Sequence, residues 1–349
     1  MNYKKKIGNA VFLAVVFLLT VYGVFHGQDL HAVLNTLESA DVRWLIPGMA
    51  AVIFFIWGES AILHYMFGTL GVKTGRWTCF QYSCVGFFFS CITPSATGGQ
   101  PAQIYYMHRN RISIPVATLV LMIVTITYKS VLVFVGLFVA FFQPGFVEQY
   151  LTGILPIFYL GVILNVLCCV FMSFLVFCPV LAERILLNCL RILERLHILK
   201  ESDTRRERLQ NSMVAYRDTS VYLKNHKKVL GNVILLTFLQ RFALFFVTWF
   251  VYRAFGLSDT SIYDVVMLQA VVSVSVDMLP LPGGMGISES LFLRIFERVF
   301  PAAMLLPGML LSRGIAYYVQ LLFSAGMTAV AHITIGRTEK EERKWGIEE

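Results

Sequence analysis

The sequence predicts an all-α polytopic membrane protein: six spanning helices plus two oppositely oriented re-entrant helical hairpins, arranged as an inverted repeat. Three observations predict it. The chain is 57% hydrophobic and only 14% charged over 349 residues, whereas a soluble domain carries about a quarter charged residues. Its basic residues gather in clusters between long apolar runs, as the positive-inside bias requires. Two of the apolar runs are interrupted by Gly and Pro, at "TPSATGGQP" (Thr93–Pro101) and "LPLPGGMGISE" (Leu279–Glu289).

The elements follow in order. Lys4, Lys5 and Lys6 precede a first span at Ile7–Phe25. That apolar run is too long for a signal peptide and no small-residue cleavage site follows, so residues 1–43 are expected to be a retained N-terminal anchor. Residues 44–142 form a first unit: a span at Trp44–Met66, the broken segment Trp77–Met107 and a span at Ile114–Phe142. Residues 143–229 are accessory, with a span at Leu151–Cys178 and a basic stretch at Ala182–Lys228. That stretch has helical period, with apolar Ile185, Leu186, Leu190, Ile192 and Leu193. It reads as amphipathic helices on anionic lipid, in preference to a nucleic-acid surface. Residues 230–335 form a second unit: a span at Leu230–Phe255, the broken segment Ile262–Phe300 and a span at Leu305–Ile335. Residues 336–349 are a basic tail.

Charge orients these elements. Lys73, Arg76, Arg109, Arg111, the Ala182–Lys228 stretch and Arg337–Lys344 all belong on the cytoplasmic side, while "HGQDLHAVLNTLESAD" and "QPGFVEQY" carry no Lys or Arg. Both termini are then cytoplasmic. The first broken segment must leave the cytoplasm and return, but two full crossings need about 40 residues. It is expected to be a re-entrant hairpin, and the second broken segment a hairpin from the outer face. Arg294 and Arg298 then fall near the outer surface, with Glu297 beside them to offset part of the cost.

Broken backbone at membrane depth leaves peptide groups unpaired at several kcal/mol each, and is tolerated only inside protein or along a wet cavity. Two such segments in corresponding places of two units mark a binding site in inverted-repeat transporters. The tip residues Pro94, Ser95, Thr97, Gly98, Gly99 and Gln100, and Pro280, Pro282, Gly283 and Gly284, are therefore candidate site residues. The glycine pairs allow close approach of backbone to a ligand or to another helix. Half-helix starts offer N–H groups and a positive dipole end to an anion.

Charged and polar residues inside the spans point to the same interior. Glu59, Lys129, Gln240, Arg241 and Arg313 lie within spans, and Asp277 and Glu289 flank the second tip. Each charge at the bilayer centre costs about 2.5–3.5 kcal/mol on the insertion scale, so these should face a polar path or one another. Glu59 corresponds by position to Gln240–Arg241, and Lys129 to Arg313. The bland alternative is a set of ion pairs that fix helix register. The seven cysteines include no CxxC pair and the histidines no ligand spacing, so neither a metal nor a cofactor is expected. No Walker A, GxSxG or kinase motif is present, so no engine for pumping is expected.

"ITPSATGGQPAQIYYM" (Ile92–Met107), "PLPGGMGISES" (Pro280–Ser290) and "LSRGIAYYVQLL" (Leu311–Leu322) resemble the lysylphosphatidylglycerol synthase transmembrane family, the flippase-type membrane domain of MprF proteins. The resemblance covers nearly the whole chain. It implies a bacterial plasma-membrane protein that moves an aminoacylated phospholipid, such as lysyl-phosphatidylglycerol, between leaflets and supports resistance to cationic antimicrobial peptides. By motif, Pro94, Gly98, Gly99, Pro282, Gly283, Gly284, Glu289 and Arg313 are its signature positions. Many members carry an acidic residue where this chain has Gln100. The lysyl-transferring module of full-length relatives follows the membrane region, and little polar sequence follows Ile335 here. Three readings result. The first is a flippase-like transporter of phospholipid, without nucleic acid as a partner. The second is a phosphatidylglycerol lysyltransferase. The third is a membrane scaffold, homo-oligomeric or docked to a separate synthase.

Overall fold

The computed structural model describes residues 30–93, 96–195, 203–279 and 286–344. The expected first span at Ile7–Phe25 lies outside them, as do the tip residues Pro94, Ser95, Pro280, Pro282, Gly283 and Gly284. Among the described residues the regular elements are helical, and five helices are long and apolar enough to cross a bilayer.

Helix α1 (Leu30–Glu38) lies where the sequence reads as a plain connection. Val33 and Leu37, one turn apart, turn the same face inward, and Val33 is buried. α2 (Val42–Thr69) starts at Asp41, whose carboxylate accepts the Arg43 N–H at 2.9 Å. The first broken segment is a hairpin of α3 (Arg76–Ile92) and α4 (Gly99–Arg109). Its arms have 17 and 11 residues, and a crossing needs about 20. α5 (Ile114–Phe142) and α6 (Leu155–Phe177) are apolar spans. α7 (Pro179–Arg195) and α8 (Asp203–Asn225) make up most of the basic stretch. α7 exposes Leu181, Leu186 and Ile192. α8 instead buries Met213, Tyr216, Ser220 and Leu223, and the Tyr216 hydroxyl donates to Leu175 O at 3.0 Å. One face of α8 is thus docked on the bundle.

α9 (Lys227–Ala254) precedes the second hairpin, α10 (Ile262–Val276) and α11 (Ile287–Phe296), whose arms have 15 and 10 residues. The last span runs from Ala302 to Ile335. It consists of α12 (Ala302–Arg313), a π-turn at Gly314–Val319 and α13 (Gln320–Lys344). π-turns of this kind collect at functional sites, and this one follows directly on Arg313. Arg294, Glu297 and Arg298 are exposed. Arg298 is held by the Gln149 carbonyl and not by Glu297.

α2 and α9 pack along their length at the centre. Gly58 on α2 makes room for Gln240 of α9: a Cβ there would meet Gln240 Cγ at 2.9 Å. Gln240 Nε2 donates to Phe55 O at 2.9 Å. α3 packs on α2 and α13, while α10 packs on α9 and α5. The leading arm of each hairpin therefore packs on the long helix before it and on a second span, α13 for α3 and α5 for α10. α6 closes the side of α5 and α10. At Gly161 an added Cβ would lie 2.5 Å from Val274 O, and Asn165 Nδ2 donates to that carbonyl at 3.2 Å.

Candidate functional site

The two hairpins face a polar interior. A cavity of about 450 Å³ lies on the side of the first hairpin and one of about 260 Å³ on the side of the second. Ser90, Ala96, Tyr128, Arg241, Leu244, Asp277 and Gln320 line both, so the two spaces meet.

The first hairpin is closed by its glycines. An added Cβ on Gly99 would lie 2.1 Å from Ser90 Oγ and 2.8 Å from Gly86 O; one on Gly98 would lie 2.6 Å from Thr93 Cγ2. The chain reverses through Ala96, whose φ of 54° is left-handed. Thr93 Oγ1 accepts the Gly98 N–H at 2.9 Å. Gln100 Nε2 donates to Thr125 Oγ1 of α5 at 2.6 Å. Gln103 Nε2 donates to Glu59 Oε1 of α2 at 2.8 Å. Gly86 permits that bond, since a Cβ there would sit 2.3 Å from Gln103 Nε2.

The second hairpin is held by charge. Asp277, at the end of α10, pairs with Lys129 of α5; both side chains are about nine-tenths buried. Glu289, in the first turn of α11, accepts the Gly286 N–H at 2.7 Å and Arg313 Nε at 2.8 Å. The last span reaches both hairpins, because Tyr317 O–H, one turn after Arg313, donates to Cys91 O of α3 at 2.9 Å.

These contacts sort the sequence candidates. Glu59, Thr97, Gln100, Lys129, Arg241, Asp277 and Arg313 line the cavities. Gln240 does not: its amide clasps α2 to α9. Glu59 and Arg313 are not partners of each other, since Glu59 meets Gln103 and Arg313 meets Glu289. Two N–H groups at the half-helix starts are taken by the protein, that of Gly98 by Thr93 and that of Gly286 by Glu289. These two N–H groups are therefore not open to the anion expected there. Tyr128 and Gln103 were missed by sequence reasoning, although each is a polar group next to a flagged feature: Tyr128 adjoins Lys129, and Gln103 follows the first tip.

Residues 7–324 match the family model described as the lysylphosphatidylglycerol synthase TM region. The chain belongs to this family. No curated protein matches it. Membership brings a membrane-lipid context to the polar interior. In this member of the lysylphosphatidylglycerol synthase transmembrane family, residues of all three motifs that carry the resemblance border one connected space: Ala96, Thr97 and Gln100 from the first, Ser288 from the second, and Arg313 and Tyr317 from the third.

Proposed function

We propose that the protein is a flippase-like transporter that moves a charged phospholipid between the leaflets of a bacterial plasma membrane. In this reading the path is the interior between two re-entrant hairpins of an inverted repeat, with six spans and cytoplasmic termini. The observation that carries the reading is the pair of joined cavities lined by Glu59, Lys129, Arg241, Asp277 and Arg313. Such a cluster is expensive at membrane depth and belongs where a polar group passes. A further support is the exchange of hairpins between units, in which α3 meets α13 and α10 meets α5. Related contacts around a fixed central site are what a two-unit transporter needs. The head group reading follows the family: an aminoacylated or otherwise charged phospholipid, whose export would protect the cell from cationic peptides.

Proteoliposomes test the transport. With head-labelled phosphatidylglycerol in both leaflets and a membrane-impermeant quencher outside, protein-free vesicles should lose only the outer-leaflet signal. Vesicles with the protein should lose nearly all of it. Equal loss in both overturns the reading, and lysyl transfer to phosphatidylglycerol without flipping would favour the synthase.

The topology has its own test. In a cysteine-free background, Thr97→Cys and Leu279→Cys should label slowly and from opposite sides. Glu148→Cys should label only from outside and Asp218→Cys only from the cytoplasm. Labelling of both tips from one side overturns the inverted repeat.

A further inference from the structure

The charged groups around the cavity have a hydrogen-bonding partner among the described residues, with one exception. Lys129 has Asp277, Arg313 has Glu289, and the Glu59 carboxylate has Gln103. Arg241 has aromatic rings in contact and the Glu59 carboxylate only beyond hydrogen-bond reach. Its guanidinium carbon lies 3.5 Å from the centre of the Tyr128 ring and 4.9 Å from that of Phe55. Its Nε is buried without a hydrogen-bond partner. Among the described residues no carboxylate lies within ion-pair distance of it. It is nevertheless one of the two charged residues that line both halves of the cavity, and the other, Asp277, is committed to Lys129.

A guanidinium over an aromatic ring uses its face; its N–H donors lie in its plane and need an acceptor. A buried cation of this kind without an acceptor is a standing cost. Its fork suits two oxygens on one phosphorus better than a single carbonyl does. We propose that Arg241 is the anion-binding residue of the central cavity and that it takes the phosphodiester of a lipid head group.

Two features choose a phosphodiester over free phosphate. The Glu59 and Asp277 carboxylates border the same space. They oppose a dianion more strongly than the single charge of a diester. Next to the cavity, between α5, α9 and α10, lies a groove of about 440 Å³ with a wholly apolar lining that includes Phe134, Phe138, Phe242 and Met267. Phe242 contacts Phe245, a residue of the cavity wall, at 5.5 Å between ring centres. An acyl chain in this groove would leave its head group beside Arg241. The lipid half of this inference rests on the proposed function; the anion half stands on the side chains alone.

The test uses the full chain in neutral detergent. The probes are phosphatidylglycerol, a diacylglycerol with the same acyl chains, and inorganic phosphate. Wild type should bind phosphatidylglycerol about tenfold or more tighter than the diacylglycerol, the range expected of a charge-assisted bond. Arg241→Gln should erase that preference. Its melting temperature is measured alongside, to show that the variant is folded. Arg241→Lys keeps the charge but loses the fork, and should bind phosphatidylglycerol severalfold more weakly than wild type; it carries the test should the Gln variant not fold. Equal binding of the two lipids by wild type, with no phosphate bound, overturns the assignment. So does a lipid preference that survives in both variants, which leaves the lipid path intact. Arg241-dependent binding of inorganic phosphate without any preference between the lipids keeps the anion site but sinks the lipid path.

Discussion

Lys129→Met should destabilise the protein by about 3–5 kcal/mol, the cost of leaving one member of a buried ion pair without the other. Asp277→Leu should do the same from the other side. The pair joins α5 to the end of α10, and both side chains are nearly buried. Among the described residues it is the ion pair that ties the second hairpin to α5; Glu289–Arg313 ties it to the last span. An apolar double replacement, Lys129→Met with Asp277→Leu, removes both charges together and should recover most of the lost stability. Thermal melting of the four proteins in detergent gives the coupling energy, expected to be most of the sum of the two single losses. Single variants that melt like wild type, or a double variant whose loss is the sum of the two, would show that the pair does not lock the hairpin. Transport separates structure from path: a stable double variant that no longer flips lipid shows that the charges act on the head group as well.

Much of this architecture was legible because the bilayer makes errors expensive. The span at Ile114–Phe142 was bounded as it stands in the structure, since a long apolar run between Arg111 and Gln143 admits few alternatives. Glu59, Lys129, Arg241 and Arg313 were flagged as inward-facing because a charge in a span has nowhere else to go. The partners were not legible. Lys129 and Asp277 are 148 positions apart, and no local pattern links them. Gln240 and Arg241 were indistinguishable because they are adjacent, yet neighbours on a helix point about 100° apart. That turn sends Gln240 to Phe55 O on α2 and Arg241 into the cavity. α1 was missed because its apolar stripe, Val33 and Leu37, is too short to stand out in a polar stretch. Its burial comes from packing against α12, a contact made far along the chain. The glycine pair at Gly98–Gly99 marked a close approach without saying to what. The structure answers with the other arm of the same hairpin.

That answer makes Gly99→Val the second large effect. The first atom of the new side chain would overlap Ser90 Oγ, at 2.1 Å, and the Gly86 carbonyl, at 2.8 Å. The hydroxyl can rotate away. The carbonyl belongs to the backbone of α3 and cannot move without opening the hairpin. Overpacking costs about 1–3 kcal/mol and more where backbone must shift, so a loss of about 3 kcal/mol is expected. Ser90→Ala in the same chain removes the nearer obstacle only and should restore little. Opening the hairpin also pulls Gln100 from Thr125 and Gln103 from Glu59, so flipping should fall together with the melting temperature. Gly99→Ala should show the same trend at smaller size. The contrary result is equally clear. If Gly99 serves to admit a ligand's backbone-close contact, Gly99→Val will melt like wild type, lose lipid binding, and gain nothing from Ser90→Ala. If Ser90→Ala fully rescues both stability and flipping, the obstacle is the hydroxyl alone, and the arms of the hairpin are not held at the Gly86 carbonyl.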